Sequence, residues 1–166
     1  MLKATDFIDL NIRNIEQEQK RVADLLRSLP KESAETRSRI ANEFLEIVQD
    51  RDERLARRSQ AAFILGASAK SFDIKSSISF TEALVKIIEA EFLLGPQLAL
   101  RSNVRGRTGS KLQLRGLSLV FLQGLVLSIL VIDPVAGRSI VKRLHPRIVD
   151  VQFLDWLEQV SKMAPS

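Results

Sequence analysis

The chain has 166 residues and a formal net charge of +5, and it contains no Cys, no Tyr, one His and one Trp. The absence of Cys excludes disulfide scaffolds, thiolate metal sites and Cys nucleophiles. A single His excludes sites that need two imidazoles, such as H-E-x-x-H zinc sites. The length suits one domain with a substantial core, and 45% hydrophobic with 27% charged residues is ordinary for a folded protein.

The charge is unevenly distributed along the chain. Residues 1–91 carry 15 Lys and Arg against 16 Asp and Glu, whereas residues 92–166 carry 10 against 4, a net charge of +6. No acidic residue lies between Glu91 and Asp133. This asymmetry indicates an anionic partner, either nucleic acid or a membrane surface, although a solvated basic face has the same composition.

The beginning of the sequence shows no basic region followed by an apolar run, so we expect no secretory signal. Together with the absence of Cys, this favours an intracellular location, cytoplasmic or membrane-peripheral.

The first predicted helix runs from about Thr5 to Leu29 and ends at Pro30. Its apolar positions recur at heptad intervals, with one polar residue among them. This pattern predicts a seam that either packs on the next helix of the same chain or mediates self-association, in which case the polar residue fixes the register. The seam consists of Ile8, Ile12, Ile15, Gln19, Val22, Leu26 and Leu29.

The second predicted helix is long and runs from its N-cap at Ser33 to about Leu65, before Gly66. Charged residues dominate residues 50–58, which favours a solvated helix supported by ion pairs between successive turns. The short connection around Pro30 predicts that the two helices form an antiparallel hairpin.

The remaining predicted helices are separated by clear stop signals. One begins at Ser79, where Glu82 completes a capping box, and ends before Gly95. Another runs from Pro134, capped by Asp133, to Leu144, and the last covers about residues 147–163.

These elements predict an all-α fold in which a long antiparallel hairpin packs with a compact helical bundle. The expected organisation is a coiled-coil-like hairpin over residues 1–66, a serine-rich connector over residues 67–79, and a basic, apolar part over residues 80–166. The hairpin and the basic part can form one domain.

The segment Leu117–Ile132 contains no charged residue. A helix of this composition is either a central helix buried on all sides or a segment that enters a membrane. It is shorter than the roughly 20 residues of a typical span, and cations lie on both sides of it, so core packing is the favoured interpretation. The positions expected to face the core or the bilayer are Leu117, Val120, Phe121, Leu125, Leu127, Ile129 and Ile132.

A glycine-punctuated basic segment precedes this run and predicts an anion-binding loop. Arg and Lys can donate hydrogen bonds to phosphate oxygens, either of nucleic acid or of lipid headgroups. No aromatic residue lies between Phe92 and Phe121, so binding to nucleic acid would be mainly electrostatic. The loop can also be solvated without a partner. Its cations are Arg101, Arg105, Arg107, Lys111 and Arg115.

Catalytic patterns are weak. Ser139 and Lys142 match S-x-x-K, but the accompanying motifs of that enzyme class are missing. Carboxylates can pair as Glu43 with Glu46 or as Glu89 with Asp133, although spaced acidic residues on a helix usually form a solvated face. His145, at a helix end, is better explained as a partner of the helix dipole.

The sequence therefore predicts a non-enzymatic helical interaction protein that self-associates and contacts an anionic surface, with a membrane as the favoured surface. The alternatives are an electrostatic nucleic-acid-binding protein and a purely structural assembly subunit. The expected partners are a second copy or another helical protein, together with anionic lipid or the phosphate backbone of nucleic acid. We expect no cofactor, no metal and no small-molecule substrate.

Overall fold

The computed structural model describes residues 1–8, 15–72, 78–93, 107–108, 111–112, 114 and 116–164. The fold is all-α, as the sequence predicts. Seven α-helices lie in the described part: α1 (Ile15–Ser28), α2 (Ala34–Gln49), α3 (Leu55–Ser68), α4 (Ile78–Ile88), α5 (Leu117–Ile132), α6 (Pro134–Leu144) and α7 (Val151–Met163).

Short elements connect these helices. A π-helical turn, Glu89–Leu93, continues α4. Strands β1 (Arg107–Thr108) and β2 (Lys111–Leu112) form a small antiparallel ribbon in which Arg107 is the partner of Leu112. Single 3-10 turns occur at Ala4–Phe7, Leu29–Lys31, Ala69–Phe72 and His145–Arg147.

The first predicted helix is not continuous from Thr5. A 3-10 turn covers Ala4–Phe7, and Ile8 then adopts an extended backbone conformation. The backbone N–H of Ala4 donates to Glu43 Oε2 at 2.8 Å, so the N-terminal turn is held against α2. This tertiary contact outweighs the local helical pattern of the first residues.

The prediction of one continuous second helix is also wrong, because the chain turns between α2 and α3. Asp50 caps the end of α2, and its carboxylate accepts a hydrogen bond from the backbone N–H of Asp52 at 2.9 Å. Such a bond stabilises a turn in competition with the helix. The break lets α3 fold back onto α2, and the two helices contact each other.

Two predicted helix starts are shifted. Ser79 lies inside α4, which begins at Ile78, so it does not cap that helix. The start expected near Arg147 falls in a 3-10 turn, and α7 is instead capped by Asp150, whose carboxylate accepts from the N–H of Phe153 at 3.0 Å. Ser33 and Asp133 act as N-caps as predicted.

Among the described helices, the closest packing joins α3 to α5 through two glycines. A Cβ atom on Gly124 would lie 2.3 Å from the carbonyl carbon of Ala62, and one on Gly66 would lie 2.8 Å from the carbonyl oxygen of Gly124. The absence of side chains at both positions therefore allows the two backbones to touch. Ser59 adds a hydrogen bond from its hydroxyl to the carbonyl oxygen of Leu117 at 2.9 Å.

Helix α5 has the bounds of the uncharged segment, and most of it is buried. Phe121, Leu125 and Ile129 are at most 1% exposed, and Ile132 is 9% exposed, whereas Leu117 at the first turn is 46% exposed. Val120 and Leu127 are half-buried. Helices α3, α4, α6 and α7 all contact α5. Among the described residues, no helix is both long enough and apolar enough to cross a membrane.

Candidate functional site

Two basic segments that are distant in the sequence come together in the fold, and we call this region the basic end. It comprises the last turn of α6, with exposed Lys142 and Arg143, and the turn His145–Arg147. Strand β2, which contains Lys111, lies against that turn. The tertiary fold thus brings a residue of the predicted basic loop close to cations that lie more than 30 positions later in the sequence.

The chain that follows the basic end exposes apolar side chains. Val149 is 38% exposed and Val151, the first residue of α7, is 68% exposed. Between them and the turn, Ile148 is buried and anchors the segment to the core. Two exposed valines therefore lie close to the basic turn in the sequence.

The predicted anion-binding residues are only partly covered by the described structure. Arg101, Arg105 and Arg115 lie outside the described residues. The backbone of Arg107 lies in β1 and that of Lys111 in β2.

The predicted self-association seam is divided between the core and the surface. Val22 and Leu29 are buried within the chain, and Leu25, which is not a seam residue, is fully buried between them. Gln19 is exposed, and Leu26 is 37% exposed. Ile8 is half-buried and packs against the core. Ile12 and the side chain of Ile15 lie outside the described part.

A buried ion pair, which the sequence analysis did not anticipate, joins α3 to the π-helical turn. The Arg58 guanidinium donates to both carboxylate oxygens of Glu91, at 2.7 and 2.9 Å, and both side chains are almost fully buried. Arg58 Nε and Nη2 also donate to the carbonyl oxygen of Val48, at 3.0 and 2.8 Å. The guanidinium carbon lies 4.6 Å from the centre of the Phe121 ring.

The ion pair forms one wall of an open cleft of about 480 Å³. The cleft lies between the end of α2, the start of α3 and one side of α4, where Lys86 and Glu82 face it. Because Arg58 and Glu91 satisfy each other, this wall offers a ligand little unpaired charge. We therefore assign the pair a structural role: it ties the ends of α2, α3 and α4 together.

A second cleft, of about 350 Å³, lies beside the first along α4, shares Glu82 and Lys86 with it, and is bounded by α6. It brings together Glu89 and Asp133, one of the two carboxylate pairs that the sequence suggested, and adds Glu82. The other suggested pair, Glu43 and Glu46, does not share a site. Glu43 accepts a hydrogen bond from the N-terminal turn, whereas Glu46 is exposed to solvent. Among the described residues, no group of three or more His, Cys, Asp or Glu side chains is arranged to hold a metal ion.

The remaining catalytic candidates lie at the surface. Ser139 and Lys142 are both exposed on α6. His145 Nε2 is 3.4 Å from Glu158 Oε1, and the two side chains are 46% and 54% exposed. An exposed pair of this kind contributes little to stability.

Three comparisons with known proteins provide no further constraint on function: no family model, no curated protein and no solved structure matches the chain.

Proposed function

We propose that the chain is a non-enzymatic helical interaction protein that associates peripherally with an anionic membrane surface through its basic end. The observation that carries the proposal is the contact between β2 and the turn His145–Arg147. Through it, the backbone of a second basic segment lies next to the end of α6, where Lys142 and Arg143 are exposed and Arg143 also pairs with Glu89. Each Lys or Arg close to an anionic lipid surface contributes about 1 kcal/mol of binding free energy.

The packing of α5 supports peripheral binding over insertion. Its central residues are buried against four other helices, so the apolar surface that the sequence offered to a bilayer is already covered. Exposing it would require loss of the core. The contact with lipid then depends on cations and on the few exposed apolar side chains near them.

The exposed valines favour lipid over nucleic acid as the anionic partner. Val151 gains from burial at the boundary between headgroups and acyl chains, whereas a phosphate backbone offers it no apolar contact. Binding to nucleic acid is the principal alternative outcome of the experiment below.

Flotation with vesicles tests this proposal. We expect the protein to float with vesicles that contain phosphatidylglycerol at low salt, and to stay at the bottom with neutral vesicles or at high salt. The double variant Lys111→Gln/Lys142→Gln should lower the partition coefficient roughly thirtyfold, because two charges at about 1 kcal/mol each are lost. The variant Val151→Ser should lower it several-fold.

A matched control removes the same charge elsewhere. The double variant Lys20→Gln/Lys31→Gln changes two exposed residues near α1 and should bind as the natural protein does. If both double variants weaken flotation equally, net charge alone drives binding and the basic end is not the site. If Val151→Ser leaves flotation unchanged while duplex DNA binds with the same salt dependence, nucleic acid replaces the membrane as the partner.

Self-association is the second part of the proposal. The exposed seam positions Gln19 and Leu26 support it, since they leave a strip of α1 uncovered between residues that pack inside the chain. We expect light scattering coupled to size-exclusion chromatography to give a mass above 18.7 kDa. Leu26→Lys should shift that mass towards the monomer, and Leu26→Met should not. A monomeric natural protein would contradict this part of the proposal alone.

A further inference from the structure

We propose that Glu89 forms an autoinhibitory contact at the basic end: its carboxylate occupies Arg143 and must be displaced before Arg143 binds a lipid phosphate. This inference rests on the proposed association with anionic membranes and adds a regulatory element to that site. Arg143 Nη1 donates to Glu89 Oε1 at 2.6 Å. The two residues lie 54 positions apart in the sequence, so the tertiary fold brings them together.

The two cations in the last turn of α6 differ in their partners. Lys142 is exposed, and it forms no ion pair within the part of the chain that the structure describes. The Arg143 side chain is 49% exposed, so a phosphate oxygen can reach it from solvent, but its charge is compensated by Glu89. Arg143 therefore belongs to the basic part of the sequence, whereas the fold supplies it with a carboxylate from outside that part.

The position of Glu89 is fixed by the π-helical turn. Glu89 is the first residue of that turn, which contacts α6. Glu91, two residues later, accepts hydrogen bonds from the buried Arg58 guanidinium at 2.7 and 2.9 Å. The backbone that carries Glu89 is thus tied to the core, and the Glu89 side chain, 36% exposed, can release Arg143 by rotating about its own bonds.

The strength of this contact suits a reversible inhibitor. An exposed ion pair changes an equilibrium constant by at most about fivefold, so a membrane can displace Glu89 at that cost. A lipid phosphate can accept two hydrogen bonds from the planar fork of Arg143, whereas Glu89 accepts one. The coupling is reciprocal: membrane binding weakens the contact of the π-helical turn with Arg143 by the same factor by which that contact weakens membrane binding.

Flotation of the full chain with vesicles that contain phosphatidylglycerol tests this inference through a double-mutant cycle. Glu89→Gln should raise the partition coefficient about fivefold, because it removes the competitor of Arg143 together with one negative charge. In the Arg143→Gln background, the same substitution should raise it at most about twofold, since only the general loss of negative charge remains.

Glu158→Gln is the matched control, because it removes the same charge beside the same region. Glu158 Oε1 lies 3.4 Å from His145 Nε2, in the turn that follows α6. We expect this substitution to raise the partition coefficient by the same factor with and without Arg143. Melting temperatures verify that all the variants are folded.

Two results would overturn the inference. One is an equal gain for Glu89→Gln in the natural and Arg143→Gln backgrounds, because Glu89 would then act only through net charge. The other is a gain for Glu89→Gln no larger than that for Glu158→Gln. The proposed membrane association is judged separately: it fails, and this inference with it, if neither the natural protein nor any variant floats, whereas flotation of the natural protein without a gain for Glu89→Gln refutes this inference alone.

Discussion

Arg58 lies in an environment that is unusual for an arginine. Charged residues are almost never fully buried unless they are paired, and Arg58 is 3% exposed. Its four hydrogen bonds to Glu91 and to the carbonyl oxygen of Val48 compensate for lost hydration. Because the cost of burying both charges offsets much of this gain, the pair contributes less net stability than its geometry suggests. Removing only one partner is more destabilising, because the other charge then stays buried without its counterion.

We expect Glu91→Gln to lower the free energy of unfolding by about 3 kcal/mol, because it leaves the Arg58 charge buried without a counterion. Arg58→Met should cost more, since it also removes both donors from Val48 and takes the Arg58 counterion away from the buried Glu91 carboxylate. Urea denaturation followed by circular dichroism measures both changes.

The adjacent residue provides the control for this prediction. Arg57 pairs with Glu53 at 3.2 Å, but its side chain is 34% exposed, so Arg57→Gln should cost less than about 0.5 kcal/mol. Equal losses for Arg57→Gln and Glu91→Gln would contradict the argument from burial.

The sequence could not distinguish these two arginines. Both lie in the charged stretch of residues 50–58, where regular spacing of opposite charges predicts a solvated helix face. The partner of Arg58 lies 33 positions away, so only the tertiary fold reveals which arginine is buried. The caps Ser33 and Asp133, by contrast, depend on local pattern and could be predicted.

At the scale of elements, some helix ends could be predicted from the sequence, whereas the break between α2 and α3 could not. Helix α5 is delimited by Gly116 and by the pair Asp133–Pro134. Gly116 adopts a positive φ that glycine favours, and Pro134 cannot continue the helix. The turn between α2 and α3 has no Gly or Pro, and its acidic and basic residues are compatible with a helix. The turn is held locally by the bond from the Asp52 N–H to the Asp50 carboxylate, and the packing of α3 on α2 and α5 adds a tertiary contribution that the sequence does not show.

The contact of α3 with α5 gives a prediction about glycine. Gly124→Ala should lower the free energy of unfolding by about 3 kcal/mol, because its Cβ would lie 2.3 Å from the backbone of Ala62, which cannot move aside as a flexible side chain can. Gly66→Ala should cost less, since its closest contact is 2.8 Å.

Gly116→Ala is the matched control for steric crowding. No atom lies within 4 Å of the added Cβ, so its cost of about 1 kcal/mol comes only from the positive φ of 56°. Thermal or urea denaturation ranks the three variants. If Gly124→Ala lowers the free energy of unfolding no more than Gly116→Ala does, α3 and α5 separate easily where they cross, which would contradict the prediction.

At the scale of the whole molecule, the core joins both parts of the sequence. Helix α3 belongs to the charge-balanced part and α5 to the basic part, yet these two helices pack most closely. The basic end therefore rests on a scaffold that includes the N-terminal helices. Composition alone indicated where the positive charge lies in the sequence. The contact between β2 and the turn His145–Arg147, however, is seen only in the structure.

This arrangement predicts that α5 stays in the core when the protein binds a membrane. Hydrogen exchange of the backbone amides in residues 121–130 should remain as slow with anionic vesicles as without them, within about twofold, because these residues are buried against neighbouring helices. Amides near the basic end, in residues 142–151, should exchange more slowly on binding. Neutral vesicles provide the control. Faster exchange in residues 121–130 on anionic vesicles would mean that α5 leaves the core and enters the bilayer, so that binding would depend on unfolding rather than on the basic end.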